Sequence, residues 1–352
     1  MLLLEDISCT DDLLPFTAVR SVLEIRMGIL TFREKWERLL GAGSFEVVPV
    51  TYGAALAANL LPTRALAARV REELGRGPLV QAAVDRMMVH GRLIRYPWHI
   101  FQYNAEALVE DFGLVTEGRR SAPIPASVQV TTPQQIFIEQ GARLSHCMLN
   151  AETGPIYIGR DAEIMEGAMI RGPFACCEGA VVKMGAKIYG GTTLGPHCVA
   201  GGEIKNAVFL GFSNKGHDGY LGDAVIGEWC NLGAGTSASN VKNNAGAVQV
   251  YHPASGNYLP AGVKCGLLMG DYSRSAINTS FNTGTVTGVS CNIFGAGVPP
   301  RYIPDFSWGT DGCSRYEWEK AIRDIGNWKK MKGRVVGEEE VKALRHIFDQ
   351  PK

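Results

Sequence analysis

Ile158–Leu194 reads IGRDAEIMEGAMIRGPFACCEGAVVKMGAKIYGGTTL, and every sixth residue from its start is apolar or small: Ile158, Ile164, Ile170, Cys176, Val182, Ile188 and Leu194. Gly167, Gly179, Gly185 and Gly191 each follow one of these rungs by three residues. A helix would repeat at about 3.6 residues and a half-buried strand at about 2, so neither explains the spacing. A fixed hexad implies a solenoid. Six residues make one short flat strand and one turn, the rung points into a narrow prism, and small residues occupy the sharp corner. Three hexads close a coil, and each coil buries its rungs only against its neighbours.

Working outward, the ladder resumes at Leu221, Ile226 and Leu232, and a looser version runs through Ile277, Thr283 and Val289. Two departures, Gly211–Gly219 and Asn240–Tyr258, are where loops and function are expected. Of 42 glycines, 9 fall in residues 1–118 and 28 in 119–300, so the two parts obey different rules. Residues 1–118 read as an α/β layer: strand Leu2–Asp6, helix Arg33–Leu40, strand Glu46–Val50, helix Arg64–Leu74 and a short helix capped by Asn104 and running to Asp111. Residues 119–135, with Pro123, Pro125 and Pro133, read as a connector, and 136–300 as the solenoid. Residues 301–352 read as a helical extension, with helices near Tyr316–Met331 and Glu338–Phe348 expected to cap the open end of the stack or pack on a neighbour.

The 352 residues hold 35 Lys+Arg against 35 Asp+Glu and the mean hydropathy is -0.00, so no net field recruits nucleic acid or an anionic bilayer. No stretch of about eighteen apolar residues suggests a membrane span. The opening Met1–Asp6 reads as a strand and not a leader, which makes the cytoplasm the expected address. The nine cysteines form no CxxC pair or zinc spacing and read as reduced thiols; vicinal Cys176 and Cys177 read as packing, because Cys176 is a rung.

The densest polar cluster is Gly216-His217-Asp218-Gly219-Tyr220-Leu221-Gly222-Asp223, followed by Ile226-Gly227 and Asn231-Leu232-Gly233-Ala234-Gly235-Thr236. The hexads resemble the left-handed parallel β-helix of the hexapeptide acyltransferases, and the handedness is implied by that resemblance alone. The cluster resembles, without a gap, the GHxxYLGD and IGxxxNxGAGT stretches of the bifunctional glucosamine-1-phosphate N-acetyltransferase / N-acetylglucosamine-1-phosphate uridyltransferase family. Glu24–Trp36 (EIRMGILTFREKW), Gly270–Asn278 (GDYSRSAIN), Asn282–Gly295 (NTGTVTGVSCNIFG) and Ile303–Gly309 (IPDFSWG) resemble the alternative bacterial form of that family, which has a shortened, divergent nucleotidyltransferase domain.

The resemblance implies His217 as the base, Tyr220 and Asn231 as contacts to the sugar phosphate, and Asn240 and Ala234 beside the acetyl-CoA. Lys205, twelve residues before His217, falls on a phosphate-contacting lysine. Lys183 falls where the family has an arginine, and lysine lacks the bidentate fork that arginine offers a phosphate. It also implies acetyl-CoA as co-substrate, an amino-sugar phosphate as acceptor and a homotrimer with sites between subunits. The chemistry suits these residue types: a sugar amine attacks a thioester only when neutral, and an imidazole titrates near working pH.

Nucleotidyl transfer needs a flexible loop with Arg and Lys around the triphosphate, and Mg²⁺ held by carboxylates. The usual Gly-rich loop is absent; Arg20, Arg26 and Lys35 would supply the positive charge, and UTP and Mg²⁺ would be needed if this half is active. Asp111 is the one acid nominated for metal, but a surface acid near a helix C-terminus is the more ordinary reading, so metal ligands stay unassigned. Three readings remain open: the bifunctional enzyme, an acyltransferase for another amino-sugar phosphate or nucleotide sugar with an inactive N-terminal domain, and a non-catalytic trimeric scaffold.

Overall fold

All seven rungs from Ile158 to Leu194 are at most 2% exposed and share one continuous core. They belong to a parallel β-solenoid, seen in a computed structural model that describes residues 1–6, 10–48, 54–310 and 314–350. Three faces, here A, B and C, alternate along the chain. Face A begins with Gln129–Thr131 on Met148–Asn150 and ends with Ser237–Ala238 on Ser280–Phe281. Face B runs from Ile136–Ile138 to Tyr302–Ile303, and face C from Arg143–Leu144 to Asn292–Ile293. Glu203–Gly211 and Tyr220–Glu228 are single strands that bend from face A into face B, turning at Asn206 and Asp223, whose φ values are 50° and 48°. Asn and Asp tolerate that left-handed conformation better than other residues with a Cβ.

The first face A strand lies inside the stretch read as a connector. Gly211–Gly219 stays within the stack, because Asn214–Lys215 pairs with face C on both sides. The second departure leaves it: between Ala238 and Leu268 the chain makes an antiparallel hairpin, Gln249–His252 with Asn257–Pro260. That excursion resets the phase of the hexads. Beyond it the register puts Ser275, Phe281, Thr287 and Ile293 in line with earlier rungs, while Ile277, expected to point inward, is 70% exposed.

The N-terminal layer has a parallel sheet in which β1 (Leu2–Glu5) lies between β2 (Phe45–Val48) and β3 (Leu56–Ala57). Around it pack α1 (Phe32–Leu40), α2 (Arg64–Arg76), α3 (Gln81–His90), α4 (His99–Gln102) and α5 (Asn104–Thr116). Thr31 and Glu34 form a capping box that starts α1. The helix α3 has no clear sequence signal, since its N-cap Val80 makes no side-chain cap. The expected cap at Asn104 is also corrected: the N-cap is Tyr103, and Asn104 is spent on tertiary contacts described below.

This layer does not stand apart. Val208, Val225, Leu268 and Val286, which face outward from face B, share a core with Leu4, Phe16, Trp36 and Ile100. Each such aliphatic side chain contributes about 1.5–3 kcal/mol on burial. The C-terminal helices α6 (Trp318–Met331) and α7 (Glu338–Asp349) pack Ala321, Ile325 and Leu344 on Trp229, Tyr272, Val289 and Phe306. They therefore lie along the side of the stack and do more than cover its open end. Among the described residues no helix is long and apolar enough to cross a membrane. Seven cysteines are free and buried, Cys176 and Cys177 among them; Cys9 and Cys313 lie outside the described residues.

Candidate functional site

His217 is exposed on the corner between faces C and A, four residues long from Gly216 to Gly219. The corner one coil earlier is only Gly201-Gly202. The longer loop folds down onto it: a Cβ on Gly202, whose φ is 74°, would lie 2.7 Å from the Gly219 carbonyl and 3.0 Å from Asp218 Cα. From above, the Gly235 amide donates to the Asp218 carbonyl at 3.0 Å, and a Cβ on Gly219 would meet the Thr236 carbonyl at 2.1 Å. Glycine is thus required by close approach on both sides of the loop. Inside, Lys215 Nζ donates to the His217 carbonyl at 2.9 Å and the Gly201 carbonyl at 3.4 Å.

On face A, half-buried Tyr220 hydrogen-bonds Asn240, and burial together with the Asp223 charge raises its hydroxyl pKa. Gly222 makes room, since a Cβ there would sit 2.2 Å from the Tyr220 hydroxyl. Asn240 Nδ2 donates to one Asp223 carboxylate oxygen at 2.5 Å and Asn206 Nδ2 to the other at 2.7 Å. Lys205 pairs in register with Gly222, and its ammonium lies 5.9 Å from the centre of the Tyr189 ring. Tyr220, Lys205 and Asn240 thus share one patch.

The other expected residues lie elsewhere. Asn231 is on face C, between Asn214 and Arg274 in register. Ala234 is in the corner above His217, where its carbonyl accepts from the Asn278 amide at 2.7 Å. Lys183 is in the same column two coils below, about 10 Å along the stack at the usual strand spacing. The corner carrying His217 therefore divides Tyr220 and Lys205 from Asn231.

The three N-terminal cations have separate surroundings. Arg20 is buried against face B, with Nη2 2.8 Å from Asp271 and 3.3 Å from Glu228. Lys35 is buried in an ion pair with Asp111, which also accepts from the Ile29 and Leu30 amides at 2.8 and 3.0 Å. Burial pushes the Asp111 carboxyl up and the Lys35 ammonium down, each opposed by the other's charge. Asp111 is 0% exposed, which corrects the surface reading of this acid. With its oxygens taken by an ammonium and two amides it does not fit a Mg²⁺ site, and the described residues include no cluster of three His, Cys, Asp or Glu suited to a metal. Arg26 alone of the three opens on a cleft of about 540 Å³ between the layer and the solenoid, lined by Arg38, Arg119 and Arg160 and also by Glu34, Glu139 and Glu178; Arg119 pairs with Glu139 at 2.6 Å and Arg160 with Glu178 at 3.0 Å. Arg26 pairs with Glu34 at 3.3 Å, and its Nε is buried with no partner among the described residues.

Sequence reasoning passed over Asp223, Asn206 and Lys215. Asp223 stands in the quoted cluster, and its link to Asn240 becomes visible only once a coil separates them in space. Lys215 was hidden because a lysine breaks the hexad pattern instead of marking a rung.

Compared with known proteins, residues 1–54 and 49–120 match the model of a family described as sugar nucleotidyl transferase. The chain is similar to the bifunctional protein GlmU of Methanocaldococcus jannaschii, 30% identical over 25% of this chain and 21% of that one. It is also similar to the bifunctional protein GlmU of Stutzerimonas stutzeri, 30% identical over 45% of this chain and 32% of that one. The chain spans about a fifth to a third of the length of these relatives. Among solved structures, the UDP-N-acetylglucosamine acyltransferase of Francisella novicida aligns over 64% of this chain and 76% of that one, at 12% identity and a TM-score of 0.29.

Proposed function

We propose that this chain is a sugar-nucleotide biosynthesis enzyme whose solenoid transfers the acetyl group of acetyl-CoA to the amine of glucosamine-1-phosphate. The amine nitrogen attacks the thioester carbonyl, the C–N bond forms, and His217 accepts the proton that nitrogen loses. The tetrahedral intermediate then expels coenzyme A as a thiolate. Such a base is worth about 10²–10⁴ in rate, with orientation supplying much of the remainder. Lys205 and Tyr220 hold the phosphate and sugar on face A, Lys183 adds charge along the same corner, and Asn240, aimed by Asp223, meets the acetyl group with Ala234 near the coenzyme. The developing oxyanion is met by a backbone amide, or by the Asn240 N–H once it is released from Tyr220.

The observation that carries the reading is the exposed imidazole on a corner walled by glycines, with the Tyr220–Asn240 pair on one flank and Asn231 on the other. Because Asn231 and Tyr220 occupy different faces, one chain does not gather the whole set, which supports a site shared between copies of a trimer.

The match of residues 1–120 to sugar nucleotidyl transferases supports uridylyl transfer from UTP to the acetylated product as a second activity. In that reading Arg26 and its neighbouring cleft arginines hold the triphosphate. The internal pairing of Arg20 with Asp271 and of Lys35 with Asp111 favours the alternative, in which the N-terminal half is a binding domain.

Incubating the purified protein with glucosamine-1-phosphate and acetyl-CoA, then with UTP and Mg²⁺, decides these points by mass spectrometry. An acetylated sugar phosphate formed by the native protein and lost in His217→Ala, at unchanged oligomer size, supports the acetyltransferase. A nucleotide sugar after UTP supports both activities. No acetylated product sinks the first claim.

A further inference from the structure

The inward side chains of face C form a ladder in register: Leu144, Ile164, Val182, Ala200, Lys215, Leu232, Ser275 and Ile293. Lys215 is a charged rung in this set and is 1% exposed. Its neighbours in the stack, Ala200 and Leu232, show what the position ordinarily holds. An ammonium buried without a carboxylate is disfavoured compared with such residues, unless something recovers the loss. Among the described residues Lys215 makes no ion pair; Asp218, exposed on the next corner, acts on it only at a distance. Burial pushes its ammonium pKa down to about 8.

What the ammonium does touch is specific. Nζ donates to the Gly201 carbonyl of one corner and the His217 carbonyl of the next. These are the two glycine-rich corners that close on each other, and Gly201, Gly202, Gly216 and Gly219 have no side chains with which to hold a conformation. The four-carbon stem fills the prism as an aliphatic rung would, and the charged end ties the two corners together from inside.

We infer that Lys215 is a positioning residue for His217: its buried ammonium holds the His217 carbonyl and so fixes where the imidazole stands over the acceptor amine. The inference rests on the reading of His217 as the base. Lys215 touches no substrate, so its effect belongs in turnover and not in substrate affinity.

The test uses the full-length protein with Lys215→Met, which keeps the length and apolar stem and removes the donor. The expected result is a fall in kcat for acetyl transfer of about 30-fold or more, as for other misplaced catalytic groups, with KM for both substrates within about threefold. Lys215→Met combined with His217→Ala is expected to be no slower than His217→Ala alone, because both changes remove the same contribution. A folded Lys215→Met protein that keeps its kcat overturns the inference. So does a loss that multiplies on top of that of His217→Ala. Should the Met variant not fold, Lys215→Gln decides, since it retains an N–H donor at that depth: kcat within about tenfold of native supports the role, and a drop to the level of His217→Ala overturns it. A native protein that transfers no acetyl group sinks the function and this inference together, whereas an active native protein with an indifferent Lys215 sinks the inference alone.

Discussion

Lys35 and Asp111 form an ion pair whose two side chains are each 1% exposed, directly beneath the backbone of Ile29 and Leu30. The same loop is fixed from its other side: the Gly28 amide donates to Asn104 Oδ1 at 2.6 Å, and the Thr193 hydroxyl of the solenoid donates to the Gly28 carbonyl at 2.9 Å. A Cβ at Gly28, whose φ is 82°, would stand 2.4 Å from Asp111 Oδ2. The pair therefore organises the loop that borders the cleft holding Arg26.

Removing one member leaves a buried charge uncompensated. Asp111→Ala or Lys35→Met is expected to lower unfolding free energy by about 3–5 kcal/mol, whereas Lys35→Met with Asp111→Leu recovers most of that loss. Urea denaturation of the three variants measures it. Equal losses in the single and double variants would show that the amide contacts of Asp111, and not its charge, hold the loop.

Arg20 and Asp271 join the N-terminal segment to the solenoid at 2.8 Å, and this contact carries a pH signature. Burial raises the Asp271 carboxyl to about 6 in spite of the arginine. The folded pKa thus exceeds the unfolded value of about 3.9, so this group's contribution is complete below that value and declines as pH rises toward 6. Arg20→Met removes the attraction that limits the rise, and the decline then extends to higher pH. The destabilisation caused by Arg20→Met is expected to be greater at pH 8 than at pH 5, as read by thermal melts at both. A difference independent of pH would assign Arg20 a packing role alone.

The solenoid was legible because its rungs obey a local rule, and Ile158 to Leu194 are buried as that rule requires. The rule failed after the hairpin, where inserted chain broke the phase and turned Ile277 to solvent. Three residues singled out by local motif, Tyr220, Lys205 and Asn240, lie together on face A. It did not find what links distant segments. Local sequence reads Lys35 as a phosphate contact and Asp111 as a metal candidate or surface acid, because nothing in it records that α1 and α5 bury them against each other. Asn104 was read as a cap for the same reason; its amide is used on the Gly191 carbonyl and Thr193 of the solenoid.

Asp223 aims two amides at once, Asn206 and Asn240, from a residue 4% exposed. Asp223→Ala strands both amides and frees Asn240 to turn away from Tyr220. The variant is expected to lose about 1–3 kcal/mol of stability and to raise KM for acetyl-CoA more than KM for the sugar phosphate. Steady-state kinetics with each substrate varied in turn separates the two effects. A selective rise in the sugar-phosphate KM would move Asn240 from the acetyl side of the site to the acceptor side.

The division of Tyr220 and Asn231 between faces A and C leads to a test that needs no structure of a complex. If each site draws face A from one copy and face C from the next, Tyr220→Ala and Asn231→Ala damage opposite halves of every site. Each variant alone carries one damaged half per site and is expected to be nearly inactive. Co-expressed in equal amounts and assembled at random, they place an intact Tyr220 opposite an intact Asn231 at about one interface in four, so activity is expected to return to about a quarter of native. Mixing the separately purified variants without dissociating them should restore nothing, which controls for incomplete inactivation. A monomer by light scattering, or co-expressed protein no more active than its parents, would place the whole reaction on a single chain and require Asn231 to act outside it.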